Sequence, residues 1–195
     1  MTTRITTAAL LLTCFGIAHA SVIWDEDLQG DISNDRFNPS VGTMTLGSNF
    51  LFATSKQGDR EYIRIDIPDG MQLEKLMMEH YHGDDLTAFI AIQAGTTFTE
   101  PPTGTNVANL LGYTHFGPGP GNVGTDILDD MGTGQGAIGF VPPLNAGPYT
   151  YWIQQTGVNP AHYHFEFIVG TVPEPCTMAV LGVAGLAFLR RRRQR

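Results

Sequence analysis

"REYIRIDIPDG", residues 60–70, decides how the chain is read. Ile63, Ile65 and Ile67 alternate with Tyr62, Arg64 and Asp66. Successive strand side chains point to opposite faces, so this spacing predicts a half-buried β-strand, one that Pro68 is expected to end because it has no amide hydrogen to donate. The same period runs through "YHFEFIVG" (163–170), where Tyr163, Phe165, Phe167 and Val169 share a face opposite His164, Glu166 and Ile168. "TYWIQQ" (150–155), "GTMTL" (42–46) and "NFLFATS" (49–55) read as further strands. "TAFIAIQAG" (87–95) is apolar on both faces, as a central strand would be. "QLEKLMMEHYH" (72–82) is ambiguous by itself, but the turn signals "PDG" before it and "HGDD" after it favour a strand.

Between these runs lie "TEPPTGTN", "GPGPGN", "GTGQG" and "PPLNAG". The 23 glycines and 12 prolines punctuate short strands rather than form one low-complexity tract, which argues for an all-β fold with long loops. Short helical turns are expected at "NVANLLG" and "TDILDDMG". The expected fold is an antiparallel, jelly-roll-like β-sandwich, flanked by an N-terminal signal peptide and a short C-terminal transmembrane helix.

The two ends read as processing segments. "MTTRITTAALLLTCFGIAHA" (1–20) has one positive charge at Arg4, an apolar stretch, and Ala18 and Ala20 in the A-x-A spacing accepted by a signal peptidase. Cleavage before Ser21 is expected. At the other end, residues 176–189 are 14 uncharged, largely apolar residues. As a helix they would span roughly 21 Å, short of the roughly 30 Å hydrocarbon core. Arg190, Arg191, Arg192 and Arg193 follow and would hold this end in the cytoplasm. Upstream, Pro173 and Pro175 bracket Glu174, so "VPEP" is expected to be extended and accessible beside the membrane. On physical grounds alone this is either a stop-transfer anchor with a stiff spacer or a handle for a membrane protease.

The body between the ends, residues 21–171, holds five basic and eighteen acidic residues, a net charge of −13. Such a body repels a nucleic-acid backbone, so nucleic acid is excluded as its expected partner. Both cysteines, Cys14 and Cys176, lie in the end segments, so a body destined for an oxidising compartment has no disulfide and must be held by its core.

Val172, Pro173, Glu174 and Pro175, the short apolar helix with Gly182, Gly185 and Leu186, and the terminal arginines together resemble the PEP-CTERM sorting signal of Gram-negative bacteria. The resemblance implies three segments: a signal peptide (1–20), an ectodomain (21–171), and a sorting segment (172–195) made of the motif 172–175, the helix 176–189 and the basic tail 190–195. It implies a membrane-anchored precursor exported across the inner membrane, cut near Pro-Glu-Pro by an exosortase, and passed to the cell surface or extracellular matrix. Cys176 departs from the small residue usual after the motif. In the body, "GDISND", "GDREYIRIDIPDG", "DDLTAFIAIQAGTTFT", "LLGYTHFG", "VGTDILDDMG" and "GPYTYWIQQTG" resemble bacterial pre-peptidase C-terminal domains, with Asp59 and Tyr62 carrying the clearest likeness. That resemblance implies a jelly-roll-like accessory module, some relatives of which bind calcium or matrix polymers.

No G-x-S-x-G, H-E-x-x-H or phosphate-loop motif occurs in the body, and none of its five serines sits in a nucleophile motif. A non-enzymatic body is therefore expected, with a hydrolase of unrecognised site as the alternative. In "DEDLQGDISNDR" (25–36), Asp25, Asp27 and Gly30 fit positions one, three and six of a calcium loop, but Arg36 stands where the bidentate glutamate should be, which rejects an EF-hand. A different oxygen-rich calcium site drawing on Asp25, Asp27, Asp31, Asp35, Asp84 and Asp85 is the candidate, set against a merely solvated acidic surface. His80/His82 and His162/His164 each put two imidazoles on one strand face, a geometry open to a transition metal or to simple surface polarity. Tyr149, Tyr151 and Trp152 are candidates for an aromatic platform under a sugar ring, which makes extracellular polysaccharide a candidate partner beside signal peptidase, exosortase and membrane.

Overall fold

The computed structural model describes residues 20–84, 86–119 and 122–173. Ala18 and the rest of the signal segment before Ala20, Asp85, and the chain from Glu174 onward, including Pro175 and the four arginines, lie outside the described residues. Nine strands follow in order: β1 (Ser21–Asp25), β2 (Ser40–Thr43), β3 (Gly47–Ser55), β4 (Arg60–His82), β5 (Ala88–Ala94), β6 (Gly112–Phe116), β7 (Thr125–Asp126), β8 (Leu144–Gln155) and β9 (Ala161–Thr171). Two short helices, α1 (Glu26–Gln29) and α2 (Leu128–Gly132), and a 3-10 turn at Val107–Asn109 complete the described elements. The fold is all-β, and α2 and the 3-10 turn fall where the sequence predicts helical turns. Among the described residues no helix is long and apolar enough to cross a membrane.

All nine strands join one hydrogen-bonded sheet, with the path β1-β3-β9-β4-β8-β5-β6 and with β2 and β7 attached to β4. The first half of β4, residues 60–67, lies between β2 and β8; its second half, residues 71–82, lies beside β9 and β7, with β8 still paired to Gln72 and Leu73. The expectation that Pro68 ends a strand is corrected here, because β4 runs straight through it. The register with β8 breaks between Ile67 and Gln72, so the amide that proline lacks falls where no ladder bond is required. Gly70, with φ of 76°, supplies a left-handed backbone position inside the same break.

The expectation of a purely antiparallel sheet is corrected too: β1 pairs parallel with β3, and β2 pairs parallel with β4. Only residues 44–46 separate β2 from β3, yet the two do not form a hairpin, since β2 goes to β4 and β3 to β9. Asn49 fixes that corner: its carboxamide accepts from the Thr45 amide at 2.7 Å and donates to the carbonyls of Thr45 at 2.8 Å and Gly47 at 2.9 Å.

Rings from strands that are not neighbours in the sheet meet in the core. Phe116 of β6 stands edge-on to Phe165 of β9 with centroids 5.0 Å apart, and Tyr151 of β8 meets Phe167 of β9 at 5.6 Å. The sheet therefore folds over on itself with its inner faces in contact. Ile63, Ile65 and Ile67, the alternating face that opens the sequence reading, are buried in this core. The outer face of β4 and β8 is covered as well: Phe98 and Leu110, from the loop after β5, pack on Tyr62 and Trp152. Gln93 pins that loop, accepting from the Thr99 amide at 2.7 Å and donating to the Asn109 carbonyl at 2.8 Å.

Phe165 is fully buried and bridges the two inner faces. Phe165→Ala is expected to destabilise the protein by about 3–5 kcal/mol, read as a lower urea midpoint at unchanged slope.

A carboxylate cluster as the candidate functional site

The end of β1 and the start of β4 build one acidic site. Asp25 caps α1, its carboxylate accepting from the Asp27 amide at 3.0 Å, and Gly30 closes the single turn with φ of 84° and a bond from its amide to the Glu26 carbonyl at 3.0 Å. This tight turn directs the Glu26 side chain back toward the sheet. One Glu26 oxygen accepts from the Ile32 amide at 3.1 Å and the other from the Thr54 amide on β3 at 2.7 Å. The chain after the turn then docks on β4. The Tyr62 amide donates to the Ser33 carbonyl at 2.8 Å, while Asn34 accepts from the Arg60 amide at 2.7 Å and donates to the Asp59 carboxylate at 3.1 Å.

Glu26, Asp31 and Glu61 converge as a result, with one oxygen of each lying within 4.8 Å of the others. Glu61 stands out because it shares the inward face of β4 with Ile63 and Ile65 and is completely buried. Neither of its oxygens meets a hydrogen-bond donor. Burial first, then the charges of Glu26, Asp59 and Asp31, pushes its carboxyl up to about 10. Burial also raises Glu26 and Asp31, each further raised by neighbouring carboxylates, while Lys56 acts the other way on Asp31. The hydroxyl of Tyr163, buried on β9 and likewise without a partner, lies in the same negative field, with Glu61 the largest charge acting on it. Three carboxylates cannot all stay ionised at this spacing without compensation. A proton shared between Glu61 and Glu26 or a bound cation would each relieve them.

Of the five described aspartates among the six suggested by the sequence, Asp31 alone enters this cluster. Asp25 is occupied as the helix cap, Asp27 is exposed, and Asp35 accepts from the Phe37 amide at 2.9 Å. Asp84 accepts from the Asn159 side chain at 2.7 Å on the far side of the chain order, and Asp85 lies outside the described residues. The described aspartates therefore do not gather around one point; Asp31 lies instead with Glu26 and Glu61. Glu26 and Glu61 were missed, although Glu61 carries a legible signal: a glutamate on the same parity as Ile63, Ile65 and Ile67 must point inward.

The β4–β9 register sets His80 opposite His164 and His82 opposite His162, so both histidine pairs occupy one outer face. The His80 and His164 rings are 4.9 Å apart, and His162 Nδ1 lies 2.8 Å from Thr54 Oγ1. Partial burial, then His80 and His162, lower the pKa of His164 against a raising effect of Asp25. Among the described residues the only three-ligand focus is the carboxylate one.

The aromatic platform is also corrected. Tyr151 is buried in the main core and Trp152 under the covering loop, while Tyr149 is partly buried and its hydroxyl donates to the Asn145 carbonyl at 3.1 Å. On the outer side of β5 and β8, a cavity of about 380 Å³ is lined by Phe89, Pro102, Val107, His115, Trp152 and Gln154 among others.

Ser21 opens β1, and β9 ends at Thr171. The Val172 amide donates to the Gly70 carbonyl at 2.9 Å, and both Val172 and Pro173 are exposed. Among curated proteins and among solved structures, nothing matches the chain. Residues 171–193 match the model of the PEP-CTERM protein-sorting motif, a signal that points to an exported precursor processed by an exosortase.

Proposed function

We propose that this is an exported cell-surface or extracellular-matrix protein of a Gram-negative bacterium, with a non-catalytic β-sandwich body. Signal peptidase removes residues 1–20, the apolar segment 176–189 anchors the precursor with the body outside, and exosortase cuts near Pro173, Glu174 and Pro175. The observation that carries this reading is the sorting-motif match at residues 171–193, beginning where the last strand ends. A protease approaching from the membrane needs an unpaired, extended substrate. Val172 and Pro173 leave the sheet exposed, and the residue before each proline is disfavoured from helix.

Intact-mass spectrometry of the mature protein from its own host tests this. The expected product begins near Ser21 and ends close to the Pro-Glu-Pro motif, while Glu174→Ala leaves a species extending to Arg195 in the membrane fraction. A wild-type protein intact through Arg195 would overturn sorting by cleavage and leave a permanent anchor.

A second reading, a module that binds extracellular polysaccharide, is favoured by the cavity beside Phe89, His115 and Trp152, since an apolar aromatic wall with a few polar groups suits a sugar ring. Phe89 is only partly buried, so Phe89→Ala removes contact area at modest cost to the core. Co-sedimentation with the host's extracellular polysaccharide is expected to weaken on the order of tenfold in this variant. Equal sedimentation of wild type and variant would remove the cavity from consideration.

A further inference from the structure

We propose that Glu26, Asp31 and Glu61 form a binding site for a divalent, oxygen-preferring cation, calcium by best fit, that clamps the first turn of the body to β4.

Two independent observations meet there. The first is the convergence of three carboxylate oxygens within 4.8 Å, drawn from two segments with β2 and β3 between them in sequence: the α1 turn with Asp31 just after it, and the start of β4. The second is Glu61 itself, fully buried on the core side of β4 with neither oxygen hydrogen-bonded. Surface acidic clusters hold their carboxylates in water. Here one has been taken wholly out of water and aimed at two others, an arrangement that costs free energy unless something positive occupies the space between them.

The donor chemistry selects the ion. The three ligating side chains offer oxygen only, with no thiolate or imidazole among them, which suits hard cations and disfavours zinc and copper. Glu26 already holds fixed hydrogen bonds from Ile32 and Thr54, so its carboxylate is oriented before any ion arrives. The site has unequal exposure: Asp31 is exposed, Glu26 half-buried and Glu61 buried. An ion there would keep water only on the Asp31 side. Calcium tolerates such irregular, mixed coordination, whereas magnesium demands a near-ideal octahedron and gives up its waters reluctantly.

The clamp would act on folding. Asp31 and Glu26 belong to the segment that links β1 to β2, and Glu61 to the strand that joins the two halves of the sheet. Cross-linking them through an ion constrains the N-terminal segment in a body that has no cysteine to do so. Extracellular modules of this kind bind calcium with Kd on the order of 10⁻⁴–10⁻³ M, which leaves the site empty in a calcium-poor cytoplasm and filled after export.

The test is thermal unfolding of the full-length chain in detergent, stripped with chelator and then titrated with calcium chloride or magnesium chloride, alongside isothermal titration calorimetry with the same salts. A hundredfold excess of calcium over Kd is expected to raise Tm by roughly 5–10 °C, with a single site by calorimetry and a smaller effect of magnesium. Glu61→Gln keeps the buried shape, and Asp31→Asn changes an exposed position; both are expected to fold and to lose the calcium-dependent rise. Equal Tm in calcium and chelator would overturn the proposal, and so would a calcium-dependent rise that persists undiminished in both variants, because the ion would then sit elsewhere. Should Glu61→Gln fail to fold, Asp31→Asn alone decides.

Discussion

One strand holds both layers of this body together. β4 pairs with β2 and β8 in its first half and with β9 and β7 in its second, and at Gln72 and Leu73 it holds β8 and β9 at once, so the backbone hydrogen bonding of the two layers meets in a single unbroken segment. Everything else is arranged around the place where that strand changes partners. The register break between Ile67 and Gln72 lets the strand bend without leaving buried amides unpaired, and Pro68 and Gly70 sit inside it. On either side the strand keeps pointing into the same core, from Ile63, Ile65 and Ile67 to Leu73 and, past the register shift that follows it, Leu76 and Met78. The aromatic contacts between β6, β8 and β9 close the fold only because β4 has first turned the sheet back on itself.

The same strand begins with an expensive choice. A carboxyl at Glu61 takes an inward position that an isoleucine or valine would fill at a gain, since a buried polar group without a hydrogen-bond partner costs free energy even when it is neutral. Glu26 and Asp31 are folded onto it by a capped single turn, and Asn34 and Ser33 tie the following loop to the same strand. A generic acidic surface needs none of this. The local hydrogen bonding positions oxygens around a common point, and the buried Tyr163 hydroxyl leaves one more unsatisfied group in that negative field.

Period two made most of this fold legible. The strands around Ile65, Phe165 and Ile92 lie where alternation or a short apolar run puts them, and the doubly apolar β5 is indeed interior, between β8 and β6. What alternation does not encode is pairing. Two parallel ladders and the reach of β4 through Pro68 depend on which distant segment lies alongside, and a proline is a terminator only where its missing donor would have been used. The site was half legible for a related reason. Spacing within "DEDLQGD" drew attention to Asp25 and Asp27, but the fold uses one as a cap and leaves the other in solvent, and selects Glu26 between them. Tyr151 and Trp152 failed as an exposed platform because adjacent strand residues face opposite sides and both sides here are covered, one by the opposing layer and one by the loop carrying Phe98.

The geometry of the exit bears on how such a chain can be sorted. β9 is an interior strand, paired with β3 over residues 161–169 and with β4 over residues 162–171, and the matched sorting segment begins at its last residue, Thr171. The last backbone tie among the described residues, from Val172 to Gly70, joins the exit to the very bend on which the two layers depend. A protease that had to pull several residues into extended form upstream of its cut would have to strip β9 out of the middle of the sheet, at the cost of both ladders. Cleavage compatible with a folded body must therefore draw its substrate from residues beyond Thr171. Pro173 suits that requirement: it lies exposed beyond the sheet, and a proline disfavours helix in the residue before it without any need to unfold what precedes it.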